Sequence, residues 1–195
     1  MPLSPPAPRE MLHRRAIDIR GWKRADGLYD IEAHLEDTKA YPFENDDRGT
    51  IVPGEPLHGL FLRLTVNEEM EIVAAEAASD FTPYGICPGA APNFARLAGL
   101  KVGPGFNRAV AERVGGVLGC THLREVLGQM ATVAFQTLYP IRAAKEQAET
   151  ARALASGHAP KRKPAMLGSC IAYAPDSPVA QARWPWLKEQ AAAVE

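Results

Sequence analysis

Residues 119–125, GCTHLRE, mark the point where the chain passes from glycine-interrupted segments into its longest helical pattern. Beyond them, apolar residues recur at helical spacing along one face. These residues are Leu123, Val126, Leu127, Met130, Val133, Ala134 and Leu138. We expect a long helix that begins near Thr121 and ends at Leu138 or, beyond Pro140, at Ala155. Its apolar stripe needs a surface to pack against, and the residues before it supply one.

The first part of that surface is a predicted hairpin. Residues 28–37 alternate with a two-residue period, and the turn sequence ADG at 25–27 joins them to an extended segment at 14–23. One face of the alternating strand is apolar and the other is polar. The apolar face has Tyr29, Ile31, Ala33 and Leu35, and the polar face has Asp30, Glu32, His34 and Glu36.

A second hairpin is predicted from strands at 57–66 and 71–78 with a turn at 67–69. Its apolar face begins at His58. The face continues through Leu60, Leu62, Leu64 and Val66. Residues 41–54, between the hairpins, are polar and contain prolines, so we expect a loop there.

Helical patterns fill the chain after the second hairpin. A loop rich in glycine and proline at 83–89 precedes short helices expected at 92–100 and 106–114, and the long helix follows. Strands first and helices afterwards predict an α+β fold, in which an antiparallel sheet of two hairpins is packed by C-terminal helices.

The two ends of the chain differ from this body. Residues 1–12 are rich in proline and predict an N-terminal arm, residues 13–156 a single domain, and residues 157–195 a C-terminal extension. The sequence WPW at 184–186 is suited to pack the extension on the domain or on a neighbouring subunit, so we expect a homo-oligomer. A basic run at 161–163 is interpreted as a solvated loop.

Composition narrows the class of protein. The chain has 195 residues, of which 46% are hydrophobic and 23% are charged, as in globular proteins. Its net charge of -1 gives no electrostatic reason to expect nucleic acid or a membrane surface as a partner. No apolar run is long enough to span a membrane, and no signal peptide is recognised. Three cysteines without tight spacing are expected to be reduced, and we expect a cytoplasmic protein.

The best candidates for chemistry are a histidine and two cysteines at the ends of predicted elements. His58 begins a strand, Cys87 lies in the loop after the last strand, and Cys120 precedes the long helix. Because strand ends and helix starts meet at one end of a sheet, these residues can converge, and thiolates with imidazoles suit zinc or iron. Cys170 either completes the site or is inert. The alternative is that each cysteine is a small buried residue.

Three further residues are candidates for acid/base chemistry. His122 and Glu125 lie one helical turn apart, and the helix N-terminus favours a thiolate at the neighbouring Cys120. His122 is therefore a candidate ligand or general acid/base, or a helix-start imidazole paired with Glu125 or water. His34 lies on the polar strand face, which is either a solvated surface or a second, carboxylate-rich metal or acid/base site.

Three stretches resemble a bacterial family of unknown function: DGLYDIEAHL at 26–35, GEPLH at 54–58 and GCTHL at 119–123. The resemblance runs from about residue 14 to residue 186. Members of that family often occur among genes for the catabolism of aromatic or similar compounds. The resemblance implies a cytoplasmic location and a small aromatic or acyl substrate.

A second resemblance covers about half of the chain. The stretches LRLTVNEEMEIVAA at 62–75, YGIC at 84–87 and GCT at 119–121 are similar to iron–sulfur scaffold proteins of the NifU/IscU type. That family places a cysteine and an aspartate before the first hairpin strand, where this chain has LHG at 57–59. The resemblance implies a metal site of His58, Cys87 and Cys120. It leaves His122 or Cys170 as the fourth ligand.

Three hypotheses about function follow. The first is a zinc or iron enzyme that hydrolyses a small aromatic or acyl intermediate or cleaves a C–C bond in it, with Glu125, His122 or His34 as acid/base. The second is a metal or iron–sulfur carrier without turnover. The third is an oligomeric structural or partner protein whose cysteines are core residues.

Overall fold

The computed structural model describes residues 3–157, 164 and 166–187. The chain divides into two compact units, Met1–Pro140 and Ile141–Glu195. The sheet and the candidate site belong to the first unit. The predicted division into 1–12, 13–156 and 157–195 stays a prediction, and the basic run at 161–163 lies outside the described residues.

Four long strands of the first unit form one antiparallel sheet. The strands are β1 (His13–Lys23), β2 (Tyr29–Lys39), β5 (Pro56–Val66) and β6 (Ile72–Phe81). Their order in the sheet is β1-β2-β5-β6, so each predicted hairpin pairs within itself and β2 joins the two hairpins through β5. The sheet precedes the helices in the chain, which confirms the α+β prediction.

One face of this sheet is buried and the other is open. On β2 the odd-numbered residues from 29 to 37 are all buried, whereas the even-numbered residues are half-buried. The inner face of β5 is buried in the same way. Its apolar members are Leu60, Leu62, Leu64 and Val66, as the two-residue period predicts.

Two shorter helices and the long helix follow the sheet. They are a 3₁₀ segment at Cys87–Leu97, α1 (Phe106–Val114) and α2 (Thr121–Ala155). The apolar stripe of α2 is buried up to residue 138, except that Val133 is half-buried. α2 runs against β1 at Gly21, where a Cβ atom would lie 1.9 Å from Thr137 Oγ1.

The structure differs from the sequence prediction at two places. The expected loop at 41–54 contains a small hairpin, β3 (Phe43–Asn45) and β4 (Gly49–Ile51), which the Asn45 side chain closes by accepting from two backbone N–H groups. The short helix expected at 92–100 is instead the 3₁₀ segment Cys87–Leu97. Pro92 lies inside it and cannot donate a helical hydrogen bond, which disfavours a regular α-helix.

The second unit contains the end of α2, a 3₁₀ turn at Ile171–Tyr173 and the short helix α3 (Pro178–Arg183). α2 passes through Pro140 to reach Ala155, the longer of the two expected ends. A small apolar cluster holds this unit together, and Trp184 of the WPW sequence belongs to it. Its buried members are Leu167, Ala180, Trp184 and Leu187. Among the described residues, none of the helices combines the length and the apolar character that crossing a membrane requires.

Candidate functional site

The candidate site lies where β1 and β5 begin and β2 ends. Antiparallel pairing brings these three termini to the same end of the sheet. Asp37 and His58 face each other directly across β2 and β5, and the pairing shifts immediately afterwards, between Asp37 and Thr38. A bulge at such a position re-aims side chains. Asp37 is 1% exposed and His58 is 9% exposed, so both polar side chains are on the buried side of the sheet.

Asp37 is held by three side chains. Arg15 donates to it through both prongs of its guanidinium, with Nε 2.8 Å from Oδ1 and Nη2 2.8 Å from Oδ2. His13 Nε2 lies 3.2 Å from Oδ1, and His58 Nδ1 lies 3.0 Å from Oδ2. An ionised carboxylate only accepts hydrogen bonds, so both imidazoles donate to it. Each oxygen of Asp37 therefore already has two donors.

These contacts fix the charge of Asp37. Burial raises the pKa of its carboxyl, but the hydrogen bonds and charge of Arg15, together with His58 and His13, outweigh burial and lower the pKa below its ordinary value. The same pairing raises the pKa of Arg15. A buried carboxylate and a guanidinium, both charged, therefore lie side by side.

His122 completes the site from the first turn of α2. Its ring centroid lies 4.0 Å from that of His58, with the two planes tilted by 36°. The turn before it is tightly packed, because a Cβ atom on Gly119 would lie 2.1 Å from Val114 O. Asn93 Nδ2 donates to Leu118 O at 2.8 Å and holds the same turn. Glycine at 119 is therefore required for the position of His122.

Both imidazoles of the pair favour the neutral form. Burial lowers the pKa of His58, the neighbouring His122 lowers it further, and Asp37 only partly opposes them. Burial also lowers the pKa of His122, followed by the charge of Arg15. A neutral imidazole has a nitrogen lone pair that can bind a metal ion or accept a proton.

Asp37, His58 and His122 form a candidate metal site. One ligand atom from each of Asp37, His58 and His122 lies within 4.8 Å of the others. His58 Nδ1 is hydrogen-bonded to Asp37, so Nε2 is the nitrogen that can bind a metal. A carboxylate that orients the imidazole of a metal ligand is a common arrangement in metal sites. Because Arg15 occupies both oxygens of Asp37, that orienting role fits this carboxylate better than direct ligation.

The three predicted cysteine ligands have different surroundings. Cys120 is half-buried, and its Sγ lies 3.8 Å from His122 Nδ1. Cys87 is half-buried at the start of the 3₁₀ segment Cys87–Leu97. Cys170 is exposed in the second unit. None of these thiols belongs to the three-residue group found among the described residues, and none forms a disulfide there.

The predicted acid/base residues are divided between the two faces of the sheet. Glu125 is 60% exposed, and Arg15 Nη1 donates to it at 3.1 Å. His34 lies on the open face, because side chains alternate along β2. Its ring stacks on Phe61 with centroids 4.3 Å apart, and both line an open cavity of about 420 Å³. The structure therefore brings His122 and Glu125 to the site and leaves His34 outside it.

Sequence reasoning missed Asp37, Arg15 and His13, although the two-residue period contained the signal. Asp37 is the next member of the odd-numbered series that forms the apolar face of β2. On β1, His13 and Arg15 precede Ile17 and Ile19 in the same way. A carboxylate on an inward face requires partners, and a histidine and an arginine stand on the neighbouring strand.

No curated protein and no solved structure shows significant similarity to the chain. One family model matches residues 13–136, which include all the residues of the site: His13, Arg15, Asp37, His58, His122 and Glu125. The chain therefore belongs to the family described as "Protein of unknown function (DUF2889)".

Proposed function

We propose that His58 and His122 bind a zinc or ferrous ion and that the protein is a metal-dependent enzyme. The observation that carries the proposal is this pair of neighbouring imidazoles, whose ring centroids lie 4.0 Å apart. His58 of the pair donates a hydrogen bond to the buried carboxylate of Asp37. Both imidazoles have lowered pKa values, so they are available as ligands at neutral pH. Imidazole nitrogen is a good ligand for both metals.

Two imidazole ligands leave coordination positions open. One position suits Cys120, whose Sγ is 3.8 Å from His122 Nδ1, and the others suit water or substrate. A bound metal ion lowers the pKa of a coordinated water or polarises a carbonyl group. Glu125, on the same helix face as His122, is then the candidate general base.

The proposed substrate is a small aromatic or acyl intermediate, and the reaction is hydrolysis or C–C cleavage. This choice rests on the tendency of the resembling family to occur among genes for aromatic catabolism. A cytoplasmic location and a homo-oligomeric assembly belong to the same proposal. A carrier like the NifU/IscU scaffolds remains the alternative.

Metal analysis tests the proposal directly. The protein is purified without chelator, its metal content is measured, and its visible spectrum is recorded. Colourless protein with about one zinc or ferrous ion per chain, which turns over a carbonyl-containing aromatic substrate, supports the enzyme. The same metal content without turnover supports the carrier, as does brown protein that loses its colour on oxidation. Protein that binds neither metal, even when they are supplied, contradicts both and favours the partner protein.

Cys120 provides a second candidate function, thiol-dependent acyl transfer. The observation that favours this function is the contact of 3.8 Å between the Cys120 thiol and His122 Nδ1. In this reaction His122 accepts the thiol proton, the thiolate attacks an acyl carbon and expels the leaving group, and water hydrolyses the thioester. Activity that survives metal removal but is lost in Cys120→Ser supports this function, whereas loss of activity on metal removal favours the metalloenzyme.

A further inference from the structure

We infer that Arg15 is a positioning residue that holds Asp37 as the acceptor for His58, keeps this carboxylate off the metal, and ties the start of α2 to the sheet. Arg15 contacts two elements besides its own strand: both prongs of its fork reach Asp37 on β2, and Nη1 reaches Glu125 on α2. The part that concerns the metal rests on the proposed function. The part that concerns His58 does not.

The first step is the orientation of Asp37. Two parallel N–H donors at 2.8 Å fix the plane of the carboxylate, because a bidentate pair restrains both of its oxygens. In that plane Oδ2 accepts from His58 Nδ1 at 3.0 Å. The proton of His58 is thereby assigned to Nδ1, and Nε2 keeps its lone pair. Without the fork, the carboxylate can rotate away from His58.

The second step is the choice between orienting and ligating. An aspartate beside two imidazoles is a ready metal ligand. Here Arg15 and His13 occupy Oδ1, and Arg15 and His58 occupy Oδ2, so ligation by Asp37 requires the loss of a charged hydrogen bond. The guanidinium therefore keeps this carboxylate as the hydrogen-bond acceptor of His58, and a bound metal ion would keep that coordination position for another ligand.

The third step is the position of α2. Glu125 follows His122 by three residues, so the two side chains lie on the same face of the first helical turns. The contact from Arg15 Nη1 to Glu125 joins that face to β1 at 3.1 Å. The same contact thus helps to hold the ring of His122 over that of His58, at 4.0 Å.

Arg15→Lys separates geometry from charge. Lysine keeps the positive charge that Asp37 needs but has no planar fork, so it cannot hold both oxygens at once. Arg14→Lys is the matched control, because Arg14 is the adjacent residue on β1 and makes a single exposed contact to Glu36 at 3.3 Å. A merely structural role for Arg15 predicts a loss of stability in Arg15→Lys without a change in the imidazole of His58.

The experiment measures the histidine ¹⁵N chemical shifts of the metal-free protein, which report the tautomer of each ring, and then zinc affinity by competition with a chelator. We expect His58 to be the Nδ1–H tautomer in the wild type and in Arg14→Lys. In Arg15→Lys we expect a mixture of tautomers and a loss of zinc affinity of about 10–100-fold, as for other residues that orient metal ligands.

Several results overturn the inference. An Nε2–H tautomer of His58 in the wild type contradicts it without any variant, so poor folding of Arg15→Lys does not prevent the test. An Arg15→Lys protein with the wild-type tautomer and wild-type zinc affinity also contradicts it. If the wild type binds no zinc or iron, the proposed function fails, while the tautomer of His58 still decides whether Arg15 positions Asp37.

Discussion

His58 Nδ1 lies 3.0 Å from Asp37 Oδ2, across the last regular pair between β2 and β5. This hydrogen bond joins a buried carboxylate to an imidazole at the edge of the core. It depends on a compensating charge, because an isolated ionised carboxylate is strongly disfavoured away from water. Arg15 supplies that charge, and the stability of this end of the sheet depends on the pair.

Asp37→Asn is expected to destabilise the protein by about 2–3 kcal/mol. Breaking a fully buried ion pair costs about 3–5 kcal/mol. The expected loss here is smaller because the Arg15 side chain is 32% exposed, so water partly compensates the charge left without Asp37. Urea unfolding of the metal-free protein measures the change. Glu36→Gln is the matched control on the same strand: its pair with Arg14 is exposed, so the expected loss is below about 1 kcal/mol. Equal losses in the two variants contradict the assignment of Asp37 as a buried anchor.

His58→Ala and His122→Ala are each expected to weaken zinc binding by at least about 100-fold, more than the loss of an orienting residue typically does. Each substitution removes one of the two neutral imidazoles of the proposed site. His34→Ala is the control, because His34 stacks on Phe61 on the opposite face of the sheet and should leave affinity unchanged. Titration calorimetry or chelator competition measures all three. If only His34→Ala loses zinc affinity, the metal site lies on the open face of the sheet and not at His58 and His122.

The free energy of unfolding of the metal-free protein should fall as the pH is lowered. His58 and His122 have lowered pKa values in the folded state, whereas unfolded histidine titrates near about 6.5. Below about pH 6.5 the unfolded chain therefore binds more protons than the folded one, and acid favours unfolding until the folded imidazoles are protonated too. Asp37 acts in the same direction, because its pKa is also lowered, but only below about pH 4.

Urea unfolding at pH 7.5 and pH 5.5 measures this effect. Between about pH 6.5 and the lowered pKa values of the folded histidines, each histidine changes the free energy of unfolding by up to about 1.4 kcal/mol per pH unit. The double variant His58→Asn/His122→Asn lacks both groups and should lose less stability than the wild type between the two pH values. An equal loss in the two proteins would show that other groups control the acid sensitivity.

Periodicity predicted most of the sheet and the helix but only part of the site. Alternation placed Leu35 and Leu60 on the inner face, because a two-residue period is a local property of the chain. The site depends on register, and register is set by pairing between distant residues. The cross-strand pair of Asp37 and His58 and the fork of Arg15 are of this kind: the two-residue period puts each residue on the inner face but does not say which residues pair.

The sequence also predicts thiol ligands, and the structure places Cys120 Sγ 3.8 Å from His122 Nδ1. His58, at the start of β5, and His122, in the first turn of α2, converge, with ring centroids 4.0 Å apart. The sequence alone predicts both histidines as candidates but not Asp37, the hydrogen-bond partner of His58, because an alternating face is recognised by its apolar members. A charged residue that continues an apolar face is the stronger signal of a site.

Gly21→Ala is expected to destabilise the protein by about 1–3 kcal/mol, the usual cost of overpacking. The added Cβ atom would lie 1.9 Å from Thr137 Oγ1, so β1 and α2 cannot keep their present distance. Gly128→Ala is the matched control: it lies in α2 with no atom within 4 Å of the added Cβ, and alanine there should stabilise the helix by about 1 kcal/mol.

Thr137→Ala removes the obstructing hydroxyl, so the double variant Gly21→Ala/Thr137→Ala should recover most of the loss. Urea unfolding of the wild type, Gly21→Ala, Thr137→Ala and the double variant gives the coupling between the two positions. Since the same helix places His122 over His58, a coupling near zero would contradict the close approach of α2 to β1 on which the geometry of the site depends.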